Sequence, residues 1–432
     1  MSKLRIPSVL LILALLFSLA NVSSTFAAIP PISFGGGGAN LGVLHTPQGV
    51  AIGDLDGDGK PDLAVADSAA AYVSVFRNIN PGEPISAASF APRMDFATGS
   101  GPRDVVIGDL NGDGKPELVV PNNGGFISVF RNTSTIGAIS FDKVDLAANG
   151  VTYVMLGDLD GDGKLDLATT TSYPNVMSVF QNTGTGTGGA ISFAAPVGFT
   201  AGAGNYGIAI GDLDGDGKPD VAVTDHASDT LSVFWNTNEG GPITATSFAA
   251  KVDFVVGGDP LDIEIGDLDG DGKPDLAVTN ANANTVSVFR NTGTSGPITA
   301  ASFAAKVDFT TGTGPQRFFA VGDLNGDNKL DLAVASSHFT VSVLRNTSTS
   351  GTITAASFAA KVDFATGASP IEVAIGDLNG DGKPEMVIPA SGNAVVQVKQ
   401  NNSPNTNEPP VANAGGPYAG NEGAAIALSG SS

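Results

Sequence analysis

Seven copies of one acidic nonapeptide hold the residues of this 432-residue chain most able to do chemistry. The first copy, DLDGDGKPD, begins at Asp54, and the others follow at intervals of 49 to 56 residues, beginning at Asp109, Asp158, Asp212, Asp267, Asp323 and Asp377. Every copy carries acidic or amide side chains at positions 1, 3, 5 and 9. Oxygen ligands at alternating positions of a tight loop suit a hard cation at calcium distances. The nonapeptides therefore predict up to seven calcium sites, and so regular a period indicates a repeat architecture.

The predicted ligands are the side chains at positions 1, 3, 5 and 9, together with the backbone carbonyl of the lysine at position 7, whose ammonium we expect to stay in solvent. In chain order these residues are Asp54, Asp56, Asp58, Lys60, Asp62, Asp109, Asn111, Asp113, Lys115, Glu117, Asp158, Asp160, Asp162, Lys164, Asp166, Asp212, Asp214, Asp216, Lys218, Asp220, Asp267, Asp269, Asp271, Lys273, Asp275, Asp323, Asn325, Asp327, Lys329, Asp331, Asp377, Asn379, Asp381, Lys383 and Glu385. Glycine at position 6 permits the positive φ that such a loop needs, and Asn328, its replacement in the sixth copy, is the next most tolerant residue.

Three other readings of the nonapeptide are weaker. A solvated Asx turn would explain one copy but not seven in phase, and clustered carboxylates repel one another unless a cation is present. An EF-hand requires a glutamate at position 12 and flanking helices, whereas position 12 here is apolar in six copies and belongs to the next strand. Magnesium prefers fewer protein ligands and more retained waters, so calcium is the better fit.

The charge of the chain comes mainly from these loops. The net charge is −22, and the seven nonapeptides contain 25 of the 43 acidic residues. No basic stripe exists that could neutralise phosphates, which argues against nucleic acid as a partner. The chain has no cysteine, so bound ions would have to supply the cross-links that disulfides supply in many secreted proteins.

The N-terminus has the pattern of a secretory signal peptide, which we expect to span residues 1–27. Lys3 and Arg5 precede an apolar core at 9–19, and Thr25-Phe26-Ala27 places small residues where a cleavage site needs them. The apolar core is short for a membrane span, and no later stretch is continuously apolar over about 18 residues. We therefore expect a secreted or cell-surface protein with no membrane span in its mature chain.

The segments between the nonapeptides predict short β-strands. In the unit at 247–291, apolar residues alternate with period two in three runs of four to six residues, each bounded by turn-forming residues, and SFAAKVDF adds a fourth strand. No comparable window shows a helical period. Four antiparallel strands repeated seven times describe an all-β, seven-bladed β-propeller, whereas a linear β-solenoid would have shorter units.

The two ends of the repeat region predict that the ring closes. The last unit has three strands and no SFAAKVDF, whereas Ile32-Ser33-Phe34 precedes the first unit. We expect the N-terminal segment to supply the outer strand of the last blade, which removes the open sheet edges. The serine-phenylalanine segments then number seven, at Phe34, Phe90, Phe141, Phe193, Phe248, Phe303 and Phe358.

The pattern D-x-[DN]-x-D-[GN]-x-x-[DE] between two strands resembles the calcium loops of FG-GAP/VCBS repeat proteins, which also occur in the propellers of integrin α-subunits. The resemblance covers about residues 32–400, and we expect the propeller domain to span residues 28–402. It implies a seven-bladed propeller with calcium in the first hairpin of each blade. Asn111, Asn325 and Asn379 replace a carboxylate at position 3, so three loops carry one less charge and are expected to bind more weakly.

The tail carries a second, shorter resemblance. Residues 403–410 form a Pro-rich polar linker. Residues 411–432 resemble the truncated start of a polycystic-kidney-disease (PKD) type domain. The matching residues are Pro410-Val411-Ala412-Asn413-Ala414-Gly415 and Leu428-Ser429-Gly430-Ser431. A low-complexity tail is the alternative. About twenty residues cannot bury a core, so the resemblance implies further C-terminal domains in the full protein.

No catalytic constellation is visible, so we expect a protein that is not an enzyme. The three histidines, at 45, 226 and 338, stand in no recognisable motif. The loops opposite the nonapeptides differ from unit to unit, and four of the five tyrosines lie in or beside them, namely Tyr72, Tyr153, Tyr173 and Tyr206. Aromatic residues on varied loops suit recognition of an extracellular protein or glycan.

The sequence thus predicts a secreted calcium-binding propeller that acts as a binding or adhesion module. Two alternatives stay open. The propeller could be the accessory module of a secreted polysaccharide-degrading enzyme whose catalytic part lies elsewhere, or a spacer in a large surface protein.

Overall fold

The computed structural model describes residues 31–82, 84–148 and 150–404, with the backbone alone at 36, 316 and 317. The predicted signal peptide at 1–27, the linker beyond residue 404 and the PKD-like segment at 411–432 lie outside the described residues. Apart from two 3-10 turns, at Ala87–Ser89 and Ser391–Asn393, the described part of the chain has no helix, and none that could cross a membrane.

The described residues form 28 strands. In chain order they are β1 (Phe34–Gly42), β2 (Pro47–Gly53), β3 (Asp62–Asp67), β4 (Tyr72–Phe76), β5 (Met94–Ala97), β6 (Val106–Gly108), β7 (Glu117–Asn122), β8 (Phe126–Asn132), β9 (Phe141–Ala147), β10 (Val151–Gly157), β11 (Asp166–Thr171), β12 (Val176–Phe180), β13 (Val197–Thr200), β14 (Asn205–Gly211), β15 (Asp220–Asp225), β16 (Thr230–Phe234), β17 (Val252–Val255), β18 (Pro260–Gly266), β19 (Asp275–Asn280), β20 (Thr285–Phe289), β21 (Val307–Thr310), β22 (Pro315–Gly322), β23 (Asp331–Ser336), β24 (Thr340–Leu344), β25 (Val362–Ala365), β26 (Ala374–Gly376), β27 (Glu385–Ala390) and β28 (Val395–Asn401).

These strands build seven antiparallel four-stranded sheets, which confirms the predicted seven-bladed propeller. Blades 1 to 6 each use four consecutive strands, beginning with β2, β6, β10, β14, β18 and β22. The second strand of every blade is buried along its whole length, because it packs between two neighbouring blades. The core therefore consists of apolar layers between blades rather than one central cluster.

Ring closure occurs as the sequence predicts. The sheet of blade 7 has the order β26-β27-β28-β1, so the N-terminal strand is its outer strand. Phe34 pairs with Asn401 in the same way that the other six phenylalanines of the serine-phenylalanine segments pair with an asparagine of their own blade. Chain segments separated by almost the whole sequence therefore share one blade, which leaves the ring without a gap.

Glycine 38 is the tightest backbone contact of this closing strand. Its φ is +138°, and a Cβ there would lie 2.5 Å from the carbonyl oxygen of Val398. We expect Gly38→Ala to push β1 away from β28 and to lower the free energy of unfolding by about 1–3 kcal/mol. Gly42→Ala, at the end of the same strand where a Cβ meets nothing within 4 Å, is the matched control. Urea denaturation measures both, and equal stabilities would show that close pairing at Gly38 does not matter.

Side chains from distant blades meet at the centre of the ring. Tyr153 of blade 3 and Phe318 of blade 6 pack edge to face, with ring centroids 4.8 Å apart. Tyr153 is 2% exposed, so this tyrosine, expected beside the variable loops, belongs to the interior instead. It fills the narrow centre where seven inner strands converge.

Four carboxylates also lie around the centre of the ring, on or just before the innermost strands: Asp104, Asp262, Glu264 and Glu372. The Glu372 carboxylate accepts a hydrogen bond from the Val50 amide at 3.1 Å, across the interface between blades 7 and 1. Burial raises the pKa of Asp104 and of Glu264 to about 7. Burial, with the negative charges nearby, also raises the pKa values of Asp262 and Glu372 well above their usual range.

These pKa shifts predict how stability depends on pH in the absence of divalent ions. Carboxylates of the unfolded chain lose their protons near pH 4, whereas in the folded chain Asp104 and Glu264 keep theirs to about pH 7, and the pKa values of Asp262 and Glu372 are raised in the same direction. The folded state then binds more protons, so stability falls as the pH rises through this window. We expect Glu372→Gln, which keeps an acceptor for Val50, to gain stability relative to the unsubstituted chain as the pH rises. Urea denaturation in EDTA across the window measures this, and a difference independent of pH would contradict it.

Candidate metal centres

Each nonapeptide forms the hairpin connection between the first and second strands of its blade, so all seven lie on one face of the ring. We call them loops 1 to 7, after their blades, and the face the loop face. The position-6 residue has the positive φ that the sequence predicts, +85° at Gly59 and +61° at Asn328. The tight turn follows from the two glycines, or glycine and asparagine, between the acidic residues.

The first three acidic side chains fold the loop around themselves. In loop 1, Asp54 Oδ1 accepts a hydrogen bond from the amide of Gly57 at 2.8 Å, and Asp54 Oδ2 accepts one from the amide of Gly59 at 2.8 Å. Asp56 Oδ1 accepts the amide of Asp58 at 3.1 Å, and Asp58 Oδ1 accepts that of Lys60 at 3.0 Å. Equivalent bonds recur around the ring, so the carboxylates converge on the inside of each turn.

Four loops bring three carboxylates to within metal-binding reach of one another. In these groups one oxygen per residue lies within 4.8 Å of the others. The groups are Asp54, Asp56 and Asp58; Asp158, Asp160 and Asp166; Asp212, Asp214 and Asp220; and Asp267, Asp269 and Asp271. The other three loops have asparagine at position 3, which is the difference expected to weaken them. In loop 5, Asp269 Oδ2 is buried without a hydrogen-bond partner, as a cation ligand would be.

The position-9 carboxylate is fully buried in every loop, and it also accepts hydrogen bonds from backbone amides of its own blade. Asp275 Oδ2 accepts the amide of Leu268 at 3.0 Å, and Asp275 Oδ1 accepts that of Asn291 at 2.7 Å. Burial raises the pKa of all seven position-9 carboxyls to about 7. A charge so far from water is costly unless a cation neutralises it, so these groups fit the inner side of a metal centre.

An asparagine in each blade joins its loop to the loop before it. The side chain of Asn236 donates to the carbonyl of Leu159 in loop 3, at 2.9 Å, and to that of Pro219 in loop 4, at 3.0 Å. The same bond crosses every blade interface, including the one between blades 7 and 1. The seven ring asparagines are Asn78, Asn132, Asn182, Asn236, Asn291, Asn346 and Asn401.

The ring asparagines were not among the residues predicted from the sequence, although they share a recognisable spacing. Each asparagine stands 15 or 16 residues after position 9 of its loop. Six of the seven also stand two residues after a phenylalanine or leucine at or near the end of the third strand. The spacing alone did not reveal that each side chain reaches a neighbouring repeat.

The connection between the third and fourth strands of the next blade covers several loops. Gly137 of blade 2 donates its amide to Asp56 Oδ2 in loop 1 at 2.9 Å, and Gly296 of blade 5 donates to Asp214 Oδ2 in loop 4 at 3.3 Å. The candidate metal centres therefore lie at blade interfaces, and an ion there would contact residues whose positions depend on two blades.

The lysines at position 7 do not all leave their ammonium groups in solvent, so that expectation is wrong for several loops. The ammonium groups of Lys115, Lys273 and Lys329 donate to backbone carbonyls of their own blade, at 2.8, 2.6 and 2.6 Å. Lys218 pairs with Glu239 at 2.9 Å. The lysine side chains thus fasten the loops to the connections beside them, while metal ligation by their carbonyls stays a prediction.

The opposite face carries the varied hairpins between second and third strands. Tyr173 is 87% exposed there and Phe339 51%, so two blades present aromatic side chains to solvent. Tyr206 packs edge to face against His226, whose Nδ1 lies 3.5 Å from Asp259 Oδ1. The sequence predicts no catalytic role for this histidine-carboxylate pair, and the absence of catalysis stays a prediction.

Comparison with known families identifies the class of protein. A model of the FG-GAP-like repeat matches residues 54–120, 158–223, 212–278, 267–334 and 323–388. These matches cover more than half of the chain, which therefore belongs to the FG-GAP-like repeat family. Each match runs from one acidic loop to just past the next, so the family pattern is centred on the candidate metal centres.

Solved structures with the same fold are distant in sequence. BBS1N, solved in complex with ARL6DN, is 14% identical with a TM-score of 0.53, covering 86% of this chain and 98% of its own. A protein from Lactobacillus plantarum is 16% identical with a TM-score of 0.52, covering 76% and 88%. Virginiamycin B lyase from Staphylococcus aureus is 12% identical with a TM-score of 0.50, covering 86% and 99%. At such identities these similarities show the fold alone. No curated protein matches the sequence.

Proposed function

We propose that this protein is a secreted, calcium-stabilised propeller that binds an extracellular protein or glycan through the face opposite its loops. The observation that carries the calcium assignment is the convergence of carboxylate oxygens in four loops, repeated at equivalent positions of one ring. All candidate side-chain ligands are oxygen atoms, the donor type that calcium prefers. When bound, calcium would supply positive charge to the buried carboxylates, and the residues that would hold it are those at positions 1, 3, 5 and 9.

A structural role for the ions follows from where the loops lie. The ring asparagines connect every loop to the next blade, and the position-9 carboxylate holds the backbone amide of the asparagine in its own blade. An ion that holds one loop therefore also holds an interface. The net charge of −22 further opposes a compact ring, because the loops concentrate like charges on one face. Neutralising these charges would favour the folded state.

The binding surface is proposed from the contrast between the two faces. The loop face repeats the same residues, which suits stability, whereas the hairpins of the opposite face differ in every blade. Exposed Tyr173 and Phe339 offer flat apolar surfaces of the kind that sugar rings and protein side chains pack against. The FG-GAP propeller as a class supports a binding module, and the signal-like N-terminus supports secretion.

Two measurements test this function. Metal analysis of the purified chain should find calcium, with up to seven ions per molecule. Screening on glycan and extracellular-protein arrays should then give a ligand whose binding is weakened by Tyr173→Ala or Phe339→Ala, but not by Ile136→Ala, an apolar residue on the loop side whose exposure lies between theirs. A chain without bound calcium would overturn the metal role. Turnover of a polysaccharide by this chain would overturn the purely binding role.

A further inference from the structure

In four blades, one residue at the end of the third strand reaches the position-3 side chain of that blade's loop. It immediately precedes the ring asparagine, and we call it the flanking residue. In blades 1, 3, 4 and 5, which have aspartate at position 3, the flanking residues are Arg77, Gln181, Trp235 and Arg290. Each lies against the second oxygen, Oδ2, of that aspartate, whereas Oδ1 accepts an amide within the loop.

The flanking residues differ in charge. Arg77 lies 3.5 Å from Asp56 Oδ2 and 3.9 Å from Asp58 Oδ2 in loop 1. Arg290 repeats this in loop 5, at 4.0 Å from Asp269 Oδ2 and 3.8 Å from Asp271 Oδ2. Both arginine side chains are less than a third exposed, so water screens their charges incompletely.

The corresponding groups of blades 3 and 4 are neutral. The Gln181 amide donates to Asp160 Oδ2 in loop 3. The Trp235 indole donates to Asp214 Oδ2 in loop 4 at 2.9 Å. These side chains orient the carboxylate by a hydrogen bond but bring no charge to compete with a cation.

We propose that the flanking residue sets the calcium affinity of its loop, so that loops 3 and 4 bind tightly and loops 1 and 5 bind weakly. This inference rests on the proposed function. A guanidinium beside two ligand carboxylates repels a divalent ion and neutralises part of the charge that attracts it. For a unit charge about 6 Å from a divalent ion in a water-like dielectric, the effect is about tenfold in affinity.

The residues that make up each carboxylate group divide the four loops into the same two pairs, loops 3 and 4 and loops 1 and 5. Loops 3 and 4 bring positions 1, 3 and 9 together, whereas loops 1 and 5 bring positions 1, 3 and 5 together. In loops 1 and 5 the arginine faces the carboxylates of positions 3 and 5. In loops 3 and 4 the position-7 lysine pairs with position 5, at 2.6 and 3.8 Å. All four loops have this lysine, so the flanking arginine is the charged side chain that differs between the two classes. In the absence of an ion the arginine stabilises its loop, so its two effects have opposite signs.

Calcium titration of the full chain and of four variants tests the proposal. Equilibrium dialysis should show two tight equivalents in the unsubstituted chain. Arg77→Gln or Arg290→Gln should add a third, with affinity raised about tenfold. Gln181→Arg should remove one of the two tight equivalents. Arg103→Gln removes the same charge from the opposite face, where its Nε donates to Asn123, and should leave the isotherm unchanged.

Melting temperatures supply a readout that does not depend on counting ions. Arg77→Gln should melt lower than the unsubstituted chain in EDTA, yet gain more from added calcium. If Arg77 only formed a salt bridge, Arg77→Gln would lower the melting temperature equally in EDTA and in calcium. The only tryptophan, Trp235, lies at loop 4, so its fluorescence should saturate with the first two equivalents.

The outcomes separate the two proposals. Absence of calcium binding in the unsubstituted chain would overturn the proposed function itself. Calcium binding with unchanged isotherms in Arg77→Gln, Arg290→Gln and Gln181→Arg would overturn only the role of the flanking residue. A tryptophan signal that saturates after the other equivalents would overturn the assignment of loop 4 to the tight class.

Discussion

Removal of calcium should lower the melting temperature of the full chain by at least roughly 10 °C. An ion that binds only the native state contributes about 2.7 kcal/mol when its free concentration is 100 times its Kd, and several sites act together here. The buried position-9 carboxylates, whose pKa values burial raises to about 7, become a cost at neutral pH once the ion is gone. Calorimetry with calcium and with EDTA measures the difference.

A single-site variant shows whether the effect arises at the loops. Asp267→Ala removes the position-1 ligand of loop 5, and we expect one ion fewer per chain and a smaller fall on adding EDTA. Asp253→Ala removes the same group from a partly exposed position in β17 and should keep the ion count. An unchanged count in Asp267→Ala, or no effect of EDTA on the unsubstituted chain, would mean that the acidic loops are ordinary turns.

Loss of a ring asparagine should destabilise the chain with or without calcium. In Asn236→Ala, the carbonyls of Leu159 and Pro219 lose their donor, and the amide of Asn238 loses the Asn236 Oδ1 acceptor. Leaving buried backbone groups unpaired costs about 1–3 kcal/mol each, and partial rearrangement brings the expected loss to about 2–4 kcal/mol. Urea denaturation in calcium and in EDTA measures the loss in both states.

Asn238→Ala is the matched control for this prediction. Its side chain makes two hydrogen bonds, both exposed: it donates to the carbonyl of Gly241 at 3.2 Å and accepts from the amide of Gly240 at 3.1 Å. Because water can replace both bonds, the same substitution two residues away should change stability little. If Asn236→Ala were no less stable than Asn238→Ala, the bonds between blades would not be what holds neighbouring loops together. A loss seen only in calcium would place the effect at the metal centre instead.

Much of the architecture could be predicted because the repeat makes each feature visible seven times. The alternation of apolar residues in β18 to β20 shows strands in any one unit, and the regular spacing turns those strands into blades. Phe34 was the decisive residue for closure, since it is a seventh serine-phenylalanine segment without a unit of its own, and it does pair with Asn401. The loop conformation was equally accessible, because Gly59 and Asn328 mark the positive φ directly.

Contacts between repeats were not accessible in the same way. Tyr153 stands beside a varied loop in the sequence, yet it meets Phe318 from the other side of the ring, about 165 residues later. Arg77 follows a strand and could be read as an ordinary surface charge. Its position against loop 1 depends on how β3 and β4 pair and twist, which local sequence does not specify.

The sequence by itself determined the number of blades, the closing strand and the residues gathered in each loop, because these follow from periodicity and from local backbone preference. Only the tertiary structure decided which groups from different strands and blades meet: the ring asparagines on the preceding loop, the flanking residues on position 3, and the four carboxylates at the centre. The physical reason is that local patterns fix conformation over a few residues, whereas burial and charge at these sites depend on neighbours brought together by packing of whole blades.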